Sequence, residues 1–254
     1  MKGVAHSSGI GRLIKRFVRL GLDIFGYELH RKHITDASVG FNRSYLARIC
    51  QPKTVIDVGV GYGTHSLYEA FPEAKIILVE PLRDYARAIE KISRKYDCDI
   101  FYVAAGDEPG VQEMNIDVDD LQKSSLTDRT ALTHSGDQME VRTIEVATLD
   151  SIFEQSPGWE QPILLKVDTE GYELKALQGA EALLEVTEVV IAEVSIAKRF
   201  EGSYKFEDFI AFMQGRGFEV YAILKVIHAK GEIRPRFADV VFRRRPTVMR
   251  PTRE

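Results

Sequence analysis

Residues 54–67 read TVIDVGVGYGTHSL, and no other stretch limits the fold as tightly. A β-branched apolar run, Val55 and Ile56, meets one carboxylate, Asp57, and then glycines at 59, 61 and 63. The apolar positions that follow, Leu67 to Phe71, suit a helix. A buried strand turning tightly into a helix brings bare backbone N–H groups up to a ligand, and glycine permits that approach. Gly59, Gly61 and Gly63 are therefore candidate cofactor contacts. The dinucleotide pattern G-x-G-x-x-G fails because Thr64 stands at its third glycine, and no G-x-x-x-x-G-K-[ST] run occurs. Asp57 ahead of the glycines suits a ligand with a free ammonium group better than one with a pyrophosphate.

From residue 53 onwards the pattern alternates strand and helix. Strands are predicted at 54–58, 75–80, 100–105, 163–168, 187–194, 217–223 and 237–242. Helices are predicted at 64–71, 82–96, 172–184 and 205–215. Such alternation implies βαβ units, an α/β fold and a mostly parallel seven-stranded sheet with helices on both faces. The last two strands are close enough for an antiparallel edge hairpin. Ligands of such sheets lie beyond the carboxyl ends of the strands, so residues at strand ends carry the interest.

The second strand delivers Glu80 to that edge, 23 positions after Asp57, with Pro81 stopping the strand. A carboxylate there accepts both hydroxyls of a ribose. The third strand ends in Ala104, Ala105, Gly106 and Asp107. The small Ala105 lets an adenine ring lie against backbone, while Asp107 either accepts from its amino group or simply begins the turn. Residues 106–147 interrupt the alternation with two short strands, near 111–116 and 138–146. Between them a polar stretch, Lys123 to Thr130, has the composition of a substrate-binding loop, with Ser124 and Ser125 as candidate contacts.

The run LLKVDTEGYELKALQGA at 164–180 is the most specific in the chain. Together with Asp57–Gly63, Glu80, the Ser124–Leu126 loop and Thr148–Asp150, it resembles the FkbM family of S-adenosylmethionine (SAM)-dependent O-methyltransferases. That family's K-[IV]-D-x-E-G-x-E pattern is intact at Lys166–Glu173. The resemblance covers about residues 53–195. It implies a Rossmann-like class I methyltransferase fold, SAM as cofactor with Asp57 in its first motif, and transfer to a hydroxyl, often of a sugar in a glycan or nucleotide-linked form. A lipid, polyketide or peptide natural product is the alternative acceptor class. A catalytically silent SAM-binding interaction module is the reading from another class, and the joint presence of Asp57, Glu80 and Asp168 argues against it.

Asp168, Glu170, Glu173 and Glu193 cluster at the ends of two strands. Methyl transfer to an alcohol needs alignment and a base for the departing proton. Asp168 is the first choice of base, followed by Glu193 and His134. Glu170 and Tyr172 are candidate acceptor contacts. For Glu170 and Glu173 two roles stand equal, a base in the reaction or a cap that charges the first turn of the following helix. The acidic group also admits a divalent cation, so metal dependence is open. His65 either faces the cofactor or packs in the first helical turn.

Charge is uneven along the chain, whose net charge is −4. Residues 1–33 hold seven Lys or Arg against two acidic residues, and 243–254 hold five Arg against one Glu, which leaves the body acidic. An acidic body disfavours nucleic acid as partner. Residues 10–25 have an apolar stripe at helical spacing with Arg12, Lys15, Arg16 and Arg19 beside it, an amphipathic extension suited to docking on the domain, to homodimer formation or to weak membrane-surface contact. The expected organisation is this extension at 1–33, a single domain at 34–242 and a basic tail at 243–254. A second helix through 41–49, capped by Asp36 or Ser38, is expected to cover the glycine loop. No apolar run approaches the ~20 residues of a transmembrane helix, a signal-peptide core is not evident, and two cysteines make no disulfide framework, all of which point to the cytoplasm.

Overall fold

Strand β1 (Thr54–Val58) is buried at all five positions, which is why its sequence carries no polar alternation. It lies in parallel between β2 (Lys75–Val79) and β7 (Ile163–Val167) in a computed structural model that describes residues 42–131 and 138–246. The helix expected at 10–25, the proposed caps Asp36 and Ser38, His134 and the arginines at 250 and 253 lie outside those residues.

The main sheet has seven strands in the order β3-β2-β1-β7-β8-β10-β9, where β3 is Cys98–Phe101, β8 Thr187–Ser195, β9 Phe218–Ile227 and β10 Phe237–Arg244. Strands β3, β2, β1, β7 and β8 run parallel, and β10 is antiparallel to both β8 and β9. The expected hairpin is thus formed by β9 and β10, with β10 inserted inside and β9 at the edge. The chain reverses direction in strand order beside β1, and that switch point sets the ligand edge.

Helices cover both faces. On one, α1 (Arg43–Ile49), α2 (His65–Ala70) and α3 (Ala86–Ser93) pack on Val55, Ile76, Leu78 and Leu164. On the other, α4 (Leu149–Gln155), α5 (Glu173–Gln178), α6 (Glu181–Val186) and α7 (Phe206–Gly215) pack on Ile56, Ile77, Leu165 and Val190. Successive side chains of each strand feed opposite layers, as the period of two requires. Helix α1 is capped by Asn42, whose side chain accepts from the Ser44 N–H. Leu46 and Ile49 pack in the layer that includes Val60 of the glycine loop.

Three expectations are corrected. The strand expected at 100–105 is two strands in different sheets, because β4 (Ala104–Ala105) pairs with β6 (Met139–Ala147) rather than with β2. With β5 (Gly110–Asp117) these form a separate three-stranded sheet in the order β4-β6-β5. The helix expected at 172–184 breaks after Gln178. A Cβ on Gly179 would sit 2.0 Å from the Gly106 carbonyl oxygen, and Asp150 starts α6 afresh by accepting from the Ala182 and Leu183 N–H groups. Arg243 and Arg244, assigned to a basic tail, belong to β10. Arg243 pairs with Glu188 at 3.3 Å, and Arg244 donates to the Thr187 carbonyl at 2.9 Å. Helix α4 is one the periodicity does not reveal, and Thr148 caps it through the Ser151 N–H.

Candidate active site

The glycine loop crosses the carboxyl end of β1 with Gly59, Gly61 and Gly63 all at positive φ. At Gly59 the need is steric as well, since a Cβ would fall 1.7 Å from the Asp168 carbonyl oxygen. The ends of β1 and β7 therefore converge, which draws the two motifs into one site. Glu80 pins the loop from β2: its carboxylate accepts from the Gly61 and Leu82 N–H groups, each at 2.9 Å. Burial pushes the Glu80 carboxyl up to about 7, against the opposing pull of these two N–H groups.

Asp57 is fully buried and lies beneath the loop rather than in the cavity above it. The Tyr68 hydroxyl donates to it, and Lys166 stands 3.1 Å away. Lys166 also donates to the Gly59 carbonyl at 3.0 Å and lies 3.4 Å from Asp168. Burial pulls Lys166 down, but Asp57 and Asp168 outweigh it and hold the ammonium above its ordinary range.

Beyond β7 the chain turns through Asp168–Tyr172. Glu170 takes a left-handed conformation, φ 51°, rare for a residue with a side chain. Its carboxylate meets Arg199 at 2.7 Å and Arg129 at 3.1 Å. Burial lifts Glu170 to about 7 in spite of Arg199. Glu193, at the end of β8, holds Arg199 at 2.5 Å and is raised well above the carboxylate range by burial and by Asp168 and Glu170 beside it. Arg199 in turn stacks over Phe237 at 4.2 Å. Glu173 folds back on the turn, accepting from the Thr169 N–H at 3.0 Å and the Gly171 N–H at 2.9 Å, with the Tyr204 hydroxyl donating at 2.7 Å.

These elements enclose a cavity of about 370 Å³, within the range of small-molecule sites. Gly59, Gly61, Gly63, Glu80, Ala105, Ser124, Asp168, Glu170, Tyr172 and Glu193, all singled out from the sequence, lie on its wall. The Tyr172 hydroxyl is committed to Gln112 at 3.0 Å, and the Ser124 hydroxyl accepts from the Asp117 N–H at 3.2 Å. Three expected contacts are elsewhere. Asp57 is under the loop, Asp107 is paired with Lys175 outside the cavity, and Ser125 donates to the Glu170 carbonyl at 2.6 Å, bracing the turn from behind. His65 borders a neighbouring cavity instead.

Sequence reasoning missed Arg129, Arg199 and Tyr204. Arg129 sits in the polar excursion, whose lack of a core face was its only signal. Arg199 and Tyr204 follow β8, where no motif marks them. Asp168, Glu170 and Glu193 can bring carboxylate oxygens within 4.8 Å of one another. Arg199 already pairs with one oxygen of Glu170 and one of Glu193, and Arg129 with the same Glu170 oxygen.

The sequence pattern of the methyltransferase FkbM domain matches residues 57–220. The chain belongs to the FkbM methyltransferase family. Its sheet order and two helical layers are the Rossmann-like class I methyltransferase fold. No curated protein matches the chain by sequence. Among solved structures, FkbM from Methylobacillus flagellatus KT is similar at 14% identity and TM-score 0.46, over 76% of this chain and 44% of that one. The family member described here thus spans less than half the length of that relative. Magnesium protoporphyrin IX methyltransferase (ChlM) from Synechocystis PCC 6803, solved with bound SAM, is similar at 10% identity and TM-score 0.45, over 96% of this chain and 87% of that one. Precorrin-6y C5,15-methyltransferase from Geobacter metallireducens GS-15 is similar at 10% identity and TM-score 0.42, over 80% and 88%. Among the described residues no helix is long and apolar enough to cross a membrane.

Proposed function

We propose that this FkbM family member transfers a methyl group from SAM to a hydroxyl of a sugar. The reading is carried by one observation: one cavity is lined both by the glycine loop with Glu80 and by Asp168, Glu170 and Glu193. SAM supplies an electrophilic methyl group when bound. Glu80 uses its oxygens for Gly61 and Leu82 yet keeps lone pairs for ribose hydroxyls, since a carboxylate has about four acceptor sites. Ala104 and Ala105 offer a flat, small-residue wall for the base. Asp168 accepts the acceptor's hydroxyl proton as the oxygen attacks. Arg129 and Arg199 hold Glu170 in its unusual conformation and keep the acidic groups from repelling one another apart. A polar acceptor is favoured because the wall around Asp168 and Glu193 presents charged groups.

The test combines calorimetry with label transfer. The protein should bind SAM and should move label from methyl-labelled SAM into the sugar or glycan fraction of a host extract. Label confined to lipid or peptide fractions would replace the sugar with the alternative acceptor class. Absence of SAM binding would overturn the enzyme reading.

A further inference from the structure

A second cavity, about 460 Å³, adjoins the first and shares Gly63, Thr64, Lys166, Asp168 and Glu193 with it. Its own side is built from the β8–β10–β9 end of the sheet. There the strand register aligns three charged residues in a row: Asp239 of β10 stands opposite Glu193 of β8 and Lys225 of β9. Asp239 is nine-tenths buried, lines this cavity, and its carboxylate accepts no hydrogen bond among the described residues. A buried carboxylate without a donor is expensive, and such groups ordinarily have a partner. Phe237, stacked under Arg199, supplies an apolar surface beside it.

We infer that this second cavity is the acceptor subsite, and that it takes a neutral, hydroxyl-bearing sugar ring rather than a phosphorylated one. The inference rests on the function proposed above. Hydroxyls of a ring donate to carboxylates such as Asp239 and Glu193, the Lys225 ammonium donates to ring or hydroxyl oxygens, and Phe237 packs against C–H edges. A phosphate placed here would face Asp168, Glu193 and Asp239 with Lys225 opposing them, since Lys166 is already held between Asp57 and Asp168, and like charges so juxtaposed disfavour it. Asp168 stands on the shared wall and so faces both ligands. When the acceptor oxygen forms its bond to the methyl carbon, the carbon–sulfur bond breaks, its electron pair stays on sulfur, and the hydroxyl proton passes to the Asp168 carboxylate.

The test is saturation-transfer NMR on the full chain loaded with S-adenosylhomocysteine. One probe is a pool of methyl glycosides of neutral hexoses, the other a pool of hexose 1-phosphates. Ring protons of the glycosides should receive saturation from the protein, and the phosphates should not. Asp239→Ala should weaken glycoside binding about tenfold, as expected for loss of a charge-assisted hydrogen bond. Lys225→Ala, at an exposed position, should weaken it too while leaving the fold intact. Absence of glycoside signal, an undiminished signal in both variants, or preference for the phosphates would overturn the subsite. Calorimetry of S-adenosylhomocysteine separates the two readings: its binding fails only if the proposed function fails, and survives if the subsite alone is wrong.

Discussion

Asp57 and Lys166 stand opposite each other in β1 and β7 and form an ion pair of 3.1 Å, both side chains buried. The pair joins the glycine-loop motif to the motif that carries Asp168, and Lys166 reaches both the Gly59 carbonyl and Asp168 from there. A cation shared among these groups explains why a charge is tolerated in the middle of an apolar sheet.

Lys166→Met should accordingly destabilise the protein by about 3–5 kcal/mol, because it strands a buried carboxylate. Urea denaturation measures this. Asp57→Asn combined with Lys166→Met should cost less than the two single changes added, since the stranded charge is gone. Additive losses would mean that the pair is not coupled.

SAM affinity should depend on pH through Glu80, whose carboxyl burial raises to about 7. The ionised form is the better acceptor for ribose hydroxyls, so binding favours loss of the proton. Affinity then falls as pH drops through 7, by at most about tenfold per pH unit for one proton, and is flat above. Glu170 titrates in the same range, so Glu80→Gln is the control. Calorimetry between pH 5.5 and 8 (on the order of one site's titration range) should show weaker binding in that variant and a flattened pH profile.

Asp168→Asn should keep SAM affinity while turnover falls by about 10²–10⁴, the range for loss of a general base. The asparagine keeps size and hydrogen bonding, so the ion pair between Asp57 and Lys166 should survive. Turnover within a few-fold of the parent would move the base to another group, with Glu193 next in position.

Much of the sheet was legible because its central parallel strands are buried on both faces and read as nearly continuous apolar runs, as in Ile76–Val79. Glu80 and Asp168 were legible for the same reason: an apolar run that ends in a carboxylate marks a strand's ligand end. What could not be read was long-range. Ala104 and Ala105 look like a continuation of β3, and only pairing with Val146 and Ala147 moves them to another sheet. Asp57 looks like a ligand group, yet Tyr68 and Lys166 claim it from opposite sides. Arg199 comes to Glu170 across 29 positions, a distance over which no periodicity speaks. Asp239 interrupts the apolar run from Phe237 to Phe242 of β10, a departure from pattern that the sheet register turns into a neighbour of Glu193.

Glu173 was a candidate for base or cap, and its geometry distinguishes the two. One oxygen accepts both the Thr169 and the Gly171 N–H, and the other takes the Tyr204 hydroxyl. The side chain is nearly wholly buried and is not on the cavity wall. Glu173→Gln keeps a carbonyl oxygen for the two N–H groups, and the tyrosine hydroxyl can turn to accept from the new amide. Turnover should therefore stay within a few-fold of the parent. Glu173→Ala orphans both N–H groups, each at about 1–3 kcal/mol, and frees the turn that carries Asp168 and Glu170. That variant should lose stability in urea denaturation and turnover together. A base would behave differently: glutamine would abolish turnover as fully as alanine while leaving stability nearly untouched. Comparing kcat and denaturation midpoints of the two variants therefore decides between a group that takes a proton and one that holds the turn still.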